Sequence, residues 1–342
     1  MEQRTEGREV SIVFPAFRLL MNRSIEMKAI SIKGIQKTYP PSRKTESVHA
    51  LRGIDLEVEQ GTVFSILGPN GAGKTTLISI LTTLLFPDGG SGTVCGFDLL
   101  REQSRIREIV NVTSGNANFT DNFTVLENLN YYGMLYGIPK GRRHAKIEFL
   151  VEMFGLEAFR HTPFNHLSTG LKQRLALSKS LINDPRVLFL DEPTVGLDPQ
   201  ISESIRRGLK EIKQKKGLTI ILTTHQMDEA EFLSDRIAFL RQGRIIAEGE
   251  AAELKRGIRW GDVIRIRYTG PPFNPDRLSL LEGILEVKSD DHQITVSLDD
   301  REKRLDPLLR TLTSGQHMVI KDIEILEPDL EDVFLELAKT PH

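Results

Sequence analysis

The sequence predicts an α/β core with parallel crossover connections, followed by a smaller α+β module. Three observations support this prediction: apolar runs at 62–67, 187–190 and 219–224 alternate with helical patterns, a glycine-rich turn directly follows the first run, and a β-α-β-β-α-β order follows residue 250. Strands that alternate with helices are typical of parallel sheets. With 342 residues, the chain is long enough for two domains.

Two further strands are expected ahead of the core. Apolar and polar residues alternate in AISIKGI and in IDLEVE, and the polar loop PPSRKTESVH separates the two runs. Such alternation is typical of strands with one buried face, and the loop allows them to pair. We therefore expect an antiparallel edge sheet beside the core.

The pattern divides the chain into three parts. Residues 1–27 are expected to be a poorly ordered extension, because regular alternation begins only after them. Residues 28–250 form the first domain, with a helical insertion at about 97–181, where apolar side chains recur at three-to-four spacing. Residues 251–342 form an accessory domain of the split βαβ, ferredoxin-like type, closed by a helix in DLEDVFLELA.

Composition limits the ligands that the chain can bind. The formal net charge of −2 gives no general attraction to nucleic acid, so we expect no nucleic-acid partner. Cys95 is the single cysteine and can form no internal disulfide, which is typical of a reducing cytoplasm. An apolar run of about 18 residues is missing, so we do not expect the chain to cross a bilayer by itself.

The strongest single signal in the sequence is a phosphate-binding loop between a strand and a helix. Glycines let successive backbone N–H groups converge on phosphate oxygens, and the helix start adds partial positive charge. Lys74 is expected to bind the β- and γ-phosphates, and the Thr75 hydroxyl to bind Mg²⁺. A chance glycine-rich turn is the alternative, and the strand-turn-helix context argues against it. The predicted nucleotide contacts are Gly68, Pro69, Asn70, Gly71, Ala72, Gly73, Lys74, Thr75 and Thr76.

Two carboxylates end the apolar run at 187–190. Asp191 is the predicted metal ligand beside the phosphate loop, and Glu192 is the predicted general base that polarises an attacking water. Alone, this acidic pair would more simply begin a turn before Pro193. His225, directly after the run at 219–224, is a candidate to hold the γ-phosphate and the water in line.

The segment LSTGLKQR, between the phosphate loop and the acidic pair, resembles the signature motif of ABC ATPases. With Gly196-Leu197-Asp198 and the histidine in the family's order, the resemblance covers about residues 28–250 and implies a P-loop NTPase core of the ABC type. It implies that Asp198 marks the D-loop and that Tyr39 stacks on adenine, although Tyr39 alone would more simply be a strand tyrosine. The implied contacts to the nucleotide of an opposite subunit are Leu167, Ser168, Thr169, Gly170 and Leu171.

The sequence departs from the family's pattern at two places. Thr169 replaces the first of two consecutive glycines in the usual signature. The segment IVNVTSGNANFTDNF lacks the glutamine that the family offers to Mg²⁺ and to its membrane partner. Asn116 has the same amide and is one candidate substitute, and Ser114 is the competing alignment.

The end of the chain, EPDLEDVFLEL, resembles the tail of exporter ATPases of the daunorubicin-resistance type. The alternative is an ordinary amphipathic closing helix, because three-to-four spacing alone cannot separate the two interpretations. The resemblance implies an exporter, but the transported substrate does not follow from it.

The resemblance implies an ATPase subunit that binds ATP and Mg²⁺ at the cytoplasmic face of a membrane. Two copies would close around ATP as a homodimer, hydrolysis would reopen them, and a separate multi-span membrane subunit would carry the substrate. One alternative is a soluble ABC-type ATPase that acts on a macromolecule, which usually carries two nucleotide domains or a long coiled coil. The other is a nucleotide sensor without hydrolysis, which the missing glutamine leaves open.

Overall fold

The computed structural model describes residues 28–41, 47–113, 118–257, 262–271, 274–290, 292–313, 319–326 and 329–339. Its strands are β1 (Lys28–Tyr39), β2 (Val48–Glu59), β3 (Val63–Leu67), β4 (Gly89–Val94), β5 (Phe97–Asp98), β6 (Val110–Thr113), β7 (Val187–Asp191), β8 (Thr219–Thr224), β9 (Arg236–Arg241), β10 (Arg244–Gly249), β11 (Asp262–Thr269), β12 (Ile284–Asp290), β13 (Gln293–Leu298) and β14 (Val319–Leu326). Its helices are α1 (Lys74–Leu81), α2 (Gln103–Ile109), α3 (Val125–Leu135), α4 (Lys140–Met153), α5 (Thr169–Ser180), α6 (Pro199–Lys216), α7 (Met227–Leu233), α8 (Ala251–Gly257), α9 (Asp276–Ser279), α10 (Arg301–Thr313) and α11 (Leu330–Lys339).

The central sheet has six strands in the order β10-β9-β3-β8-β7-β6. All neighbours from β9 to β6 are parallel, and only the β9–β10 hairpin is antiparallel. Every residue of β3 and β8 is buried, as expected for strands covered by helices on both faces. The predicted α/β core is therefore confirmed, and the carboxyl ends of β3, β7 and β8 meet at one edge, where ligands bind in such sheets.

A second sheet, in the order β2-β1-β4-β5, is wholly antiparallel and confirms the predicted edge sheet. Its buried face and α1 share one apolar cluster with the central sheet, in which Ile30 and Leu56 pack with Phe64 and Ile80. The phosphate loop, between β3 and α1, is therefore held between two sheets.

Helices α3 to α5 form the predicted helical insertion and pack around a separate apolar cluster that includes Leu129, Leu150 and Leu175. The helix α3 begins with a reciprocal cap, in which the side chains of Thr124 and Glu127 each accept a hydrogen bond from the other residue's backbone. The expected range of about 97–181 also contains β6, a strand of the parallel sheet that the sequence analysis missed. Four residues, VNVT, are too short to reveal a strand by alternation.

After residue 257 the chain forms a third sheet in the order β12-β13-β11-β14, antiparallel throughout. This is the strand order of the predicted ferredoxin-like module. Its own core contains Ile264, Ile266, Val296 and Leu308.

The last helix, α11, packs against the first part of the chain rather than the third sheet's core. Leu330 and Val333 join an apolar cluster with Leu67 and Phe239, and the Phe334 ring lies 5.7 Å from the Phe239 ring. The helix is amphipathic, and Leu335 lies on its exposed side. The tail is thus anchored on the strands that carry the phosphate loop. No helix in the described part of the chain is long and apolar enough to cross a bilayer.

Candidate functional site

The phosphate loop is fixed by close backbone packing at its first glycine. A Cβ on Gly68 would lie 2.2 Å from the carbonyl oxygen of Leu240 in β9, a distance that no side chain tolerates. Gly73 precedes α1 with a φ of 110°, in the left-handed region that favours glycine. The amide of Ala72 donates to the carbonyl of Pro69, which tightens the turn. The loop's conformation therefore depends on residues that cannot carry side chains.

Lys74 is almost fully buried, although it carries a charge. Its Nζ donates to the carbonyl oxygens of Gly68 at 2.7 Å and Pro69 at 3.2 Å, and lies 3.5 Å from Oε1 of Glu192. These contacts aim the ammonium into the curve of the loop. The arrangement suits an anion bound against the loop, because it would meet a fixed positive charge at the start of α1.

Oxygen ligands for a divalent cation meet beside the loop. The Thr75 hydroxyl donates to Oδ2 of Asp191 at 3.1 Å, and Thr223 donates to Oδ1 of the same carboxylate. Thr75 and Asp191 are therefore close enough to bind the same cation. Their oxygen atoms are hard donors, which suit Mg²⁺. The described residues contain no cluster of three or more His, Cys, Asp or Glu that could bind a metal alone. The remaining ligands would have to come from phosphate and water.

Glu192 has a left-handed backbone, with a φ of 51°, which is unusual for a residue other than glycine. Its amide donates to the carbonyl of Thr223 at 2.9 Å, so β8 holds the residue in this strained conformation. Its Oε1 lies 3.2 Å from Nδ1 of His225. Because a carboxylate only accepts hydrogen bonds, Nδ1 is the donor in this contact, and Nε2 points to the other side of the ring.

Most of the predicted nucleotide contacts line one open cleft of about 270 Å³. Tyr39 lies at its rim with 41% of its surface exposed, and its hydroxyl lies 3.3 Å from Oγ1 of Thr76. The hydroxyl end of the ring is therefore held beside Thr76, and enough of the residue is exposed for a stacking contact with a base. The lining consists of Tyr39, Val48, Ala50, Glu192 and residues 69–76.

His225 does not line this cleft. It lies behind Glu192 and borders an adjoining cleft of about 590 Å³, together with Gly68 and with Phe334 of α11. The predicted histidine is therefore close to the carboxylate of Glu192, and the C-terminal helix lies beside the histidine.

The signature residues lie on a separate surface. Ser168 caps α5 by accepting a hydrogen bond from the Leu171 amide at 3.4 Å, and Thr169 is exposed beside it. Gly170 is buried, and a Cβ there would lie 2.5 Å from Cδ1 of Ile201 in α6. Within the described residues, no member of LSTGL lines the cleft that contains Lys74.

Helix α5 nevertheless contacts the loop that follows Glu192 in the same chain. Nε2 of Gln173 donates to the carbonyl of Pro193 at 2.7 Å. Asp198 is exposed, and its side chain caps α6 by accepting from the Ile201 amide at 3.0 Å. The positions of Glu192 and of α5 are therefore linked through the first residues after β7.

Two sequence predictions cannot be compared with the structure. Asn116 and Ser114, the alternatives for the missing glutamine, lie outside the described residues, so the choice between them stays a prediction. Sequence reasoning also missed a buried acid, Glu229 in α7. An acidic residue in the first turn of a helix is ordinarily explained by the helix dipole, so no sequence signal marked its burial.

Two known families match this chain. The family described as "ABC transporter" matches residues 51–195, and the one described as "ATP-binding protein DrrA1-3-like, C-terminal domain" matches residues 249–338. The chain is 35% identical over 318 residues to the daunorubicin/doxorubicin resistance ATP-binding protein DrrA of Streptomyces peucetius, covering 92% of this chain and 93% of that protein. It is also 35% identical to Nod factor export ATP-binding protein I of Ralstonia nicotianae, covering 90% and 93% respectively.

Solved structures match about two thirds of the chain. A dimeric post-hydrolysis state of the ATP-binding cassette MJ0796 bound to ADP and Pi has a TM-score of 0.60 and 28% identity, covering 65% of this chain and 98% of that chain. The cbiO1 protein of Clostridium perfringens, part of the ABC transporter complex cbiONQ, has a TM-score of 0.61 and 27% identity, covering 68% and 92%.

Proposed function

The chain belongs to the ABC transporter ATP-binding proteins that carry a DrrA-like C-terminal domain, and from this premise we propose that it drives export of a substrate through a separate membrane subunit. As a member of this family it binds nucleotide and is an ATPase. Export is supported by relatives that are named as drug-resistance and Nod factor export proteins. The observation that carries the proposal is the convergence of Lys74, Glu192 and His225 at the carboxyl edge of the parallel sheet.

Residues in the cleft and beside it divide the work of hydrolysis. Residues 68–76 and Tyr39 bind the triphosphate and the adenine, and the Lys74 ammonium neutralises phosphate charge. Glu192 accepts a proton from the attacking water, while His225 holds that carboxylate in place through Nδ1–H. The same ring, when both of its nitrogens are protonated, would donate Nε2–H to the γ-phosphate. Mg²⁺, held by Thr75 and Asp191, would polarise the phosphates when bound.

A second copy of the chain is needed to complete the site. Ser168, Thr169 and Gly170 lie away from the cleft of their own chain, although α5 presents backbone N–H groups and a capping hydroxyl that suit phosphate. We propose that these residues, with Leu167 and Leu171 beside them and Asp198 at the D-loop, contact the ATP held by the partner copy. The dimeric cassette that resembles this chain supports such an arrangement.

The membrane subunit would dock beside α2 and β6. Exposed apolar side chains follow α1 at Leu84 and Phe86 and end α3 at Leu135, which is 63% exposed. Hydrogen bonds from Arg107 to Thr83 and between Asn111 and Tyr136 connect both groups to the α2–β6 segment. We propose that these exposed apolar side chains belong to one partner interface. This surface would attach the chain to the cytoplasmic face of the membrane.

The domain division follows from the same interpretation. Residues 28–250 act as the nucleotide-binding domain, and residues 251–342 act as an accessory domain, whose last helix returns to the first domain at Leu330.

The two alternative functions predict different experimental results. A nucleotide sensor would bind ATP without turnover, and an ATPase acting on a macromolecule would be stimulated by ribosomes or DNA rather than by a membrane protein.

The closing experiment uses Glu192→Gln, which keeps the side chain's size but removes the base. We expect turnover to fall by at least about 100-fold while ATP binding persists, so that an ATP-dependent dimer accumulates in size-exclusion chromatography. Glu248→Gln, at a peripheral ion pair with Arg236, is the control and should leave turnover unchanged. A variant that stays monomeric at saturating ATP and Mg²⁺ would contradict the shared site.

The membrane partner is tested by charge placed on its proposed surface. Leu135→Lys should reduce recovery of a multi-span protein with the tagged chain from detergent-treated membranes, while the ATPase activity of the purified chain stays within about twofold of the wild type. Leu280→Lys, 87% exposed in the accessory domain, is the matched control and should not affect recovery. Recovery of ribosomes or DNA instead would favour the macromolecular alternative.

A further inference from the structure

Glu229 is an acidic side chain with no exposed surface, on the first turn of α7 and four residues after His225. Its Oε1 accepts a hydrogen bond from the hydroxyl of Thr194 at 2.7 Å, and it also shares a hydrogen bond with the Thr224 side chain. Burial raises the pKa of this carboxyl, and the two hydroxyls oppose that effect. Burying a carboxyl group costs free energy unless it is hydrogen-bonded, so the contacts of Glu229 indicate its role.

The two hydroxyls belong to the two loops that carry the catalytic side chains. Thr194 lies two residues after Glu192, and Thr224 directly precedes His225. Thr224 also accepts the Gln226 amide at 3.0 Å, which closes the turn after β8. One carboxyl group therefore holds the loop of the general base and the loop of the histidine at a fixed separation.

Arg206 extends the same network to α6. Its Nη2 donates to Oε1 of Gln226 at 3.1 Å, its Nη1 donates to Asp228 at 3.0 Å, and its Nε lies 3.9 Å from Oε1 of Glu229. Among the described residues, Nε of Arg206 and Oε2 of Glu229 have no hydrogen-bond partner. The ion pair is therefore within a small displacement of a direct hydrogen bond.

Helix α6 contacts the surface that contains the signature residues. Ile201, in its first turn, packs directly over Gly170 of α5. A movement of α5 on contact with a partner's nucleotide would thus reach Arg206 through a rigid helix. The carboxyl of Glu229 lies where this movement meets the loops of Glu192 and His225.

We propose that Glu229 is a positioning residue of the ATPase reaction, which ties the Glu192 loop to the His225 loop and connects both to α6 through Arg206. The proposal rests on the proposed function, since it concerns the same hydrolysis. Glu229 lines neither the nucleotide cleft nor the adjoining cleft beside α11, so it acts through the geometry of other residues and not by touching the nucleotide. Its loss should therefore lower kcat and leave the KM for ATP nearly unchanged.

The test measures ATPase kinetics and thermal melting of the full chain in four variants. Glu229→Ala and Thr194→Val each remove one side of the 2.7 Å hydrogen bond, and each should lower kcat about tenfold with less than about a twofold change in KM. Their combination should be no worse than about the more damaging single change, because both break one contact. Leu233→Ala, buried on the same helix outside the network, should lower the melting temperature and leave kcat unchanged.

Two conservative substitutions distinguish a positioning role of Glu229 from a general loss of structure. Thr194→Ser keeps the donor hydroxyl and Glu229→Gln keeps an acceptor oxygen, so both should recover most of the wild-type kcat. The proposal is overturned if folded Glu229→Ala turns over ATP at the wild-type rate, or if Leu233→Ala loses kcat to the same degree. Absence of turnover in the wild-type chain, with ATP binding intact in calorimetry, would instead overturn the proposed hydrolytic function.

Discussion

The ammonium of Lys74 lies 3.5 Å from Oε1 of Glu192, so the proposed phosphate ligand and the proposed base face each other directly. The same carboxylate oxygen is 3.2 Å from Nδ1 of His225. One oxygen therefore lies between two groups that can carry positive charge. A triphosphate bound in the loop would compete for the ammonium, and Glu192 would then be oriented mainly by the histidine.

Replacing Lys74 with alanine tests the phosphate loop. We expect Lys74→Ala to weaken ATP binding by about tenfold or more, because a buried, charge-assisted contact to phosphate is removed. Isothermal titration calorimetry with MgATP measures the loss. Lys303→Ala, at an exposed ion pair with Asp300 in the accessory domain, should bind ATP as the wild type does. Equal ATP affinity in both variants would show that Lys74 does not contribute to ATP binding.

Gly68→Ala tests the packing of the loop against β9. The added Cβ would meet the Leu240 carbonyl oxygen at 2.2 Å, and backbone cannot move aside as a side chain can. We expect about 1–3 kcal/mol of destabilisation in urea unfolding. Gly208→Ala, where a Cβ in α6 meets nothing within 4 Å, should stabilise the chain by up to about 1 kcal/mol. Similar effects in both variants would show that the close approach at Gly68 is unimportant.

The anchoring of α11 predicts that a C-terminal substitution destabilises the ATPase core. Leu330 is fully buried in a cluster with Leu67 and Phe239, so Leu330→Ala should cost about 2–5 kcal/mol. Leu335→Ala on the exposed side of the same helix should change stability by less than about 0.5 kcal/mol. Denaturant unfolding followed by a probe in the first domain measures the difference, and equal stabilities would argue against this packing.

The buried carboxyl of Glu229 predicts a pH dependence. Burial raises its pKa above the ordinary glutamate range, against the nearby charge of Arg206 from α6 and with that of Asp228 on its own helix. The folded chain therefore binds more protons at this site than the unfolded chain, and its contribution to stability falls as pH rises through the raised pKa. Glu229→Gln should flatten the decline of unfolding free energy as the pH rises above the ordinary glutamate range. An unchanged slope would contradict the raised pKa.

The sequence predicted those parts of the fold in which local pattern and chemistry agree. The phosphate loop, the carboxylates after β7 and the strand order after residue 257 could all be recognised, because spacing and turn chemistry are local properties. The hairpin of β9 and β10 was missed, although Gln242-Gly243 between apolar runs was an available signal. Helices, strands and turns can thus be predicted where their own residues show the matching periodicity or turn chemistry.

Relationships between distant residues were not accessible in the same way. Nothing in the sequence placed Glu229 against Thr194, because their contact depends on how α7 docks after β8. The packing of α11 against Phe239 was also not predictable. The amphipathic pattern of this helix predicts that one face is buried, but it does not identify the residues that cover that face. The left-handed backbone of Glu192 is held by a hydrogen bond to β8, and glutamate as a residue type gives no sign of this conformation.

The position of Tyr39 has a consequence for which nucleobase the cleft accepts. Its hydroxyl lies 3.3 Å from Oγ1 of Thr76, and in the proposed stacking contact a base would lie on the face of the ring. A face-on contact does not distinguish purines, because adenine and guanine both present a flat π surface, whereas their exocyclic groups lie at the edge. Guanosine triphosphate should therefore be turned over as well as adenosine triphosphate, and the supply of each in the cell would decide which one fuels the cycle.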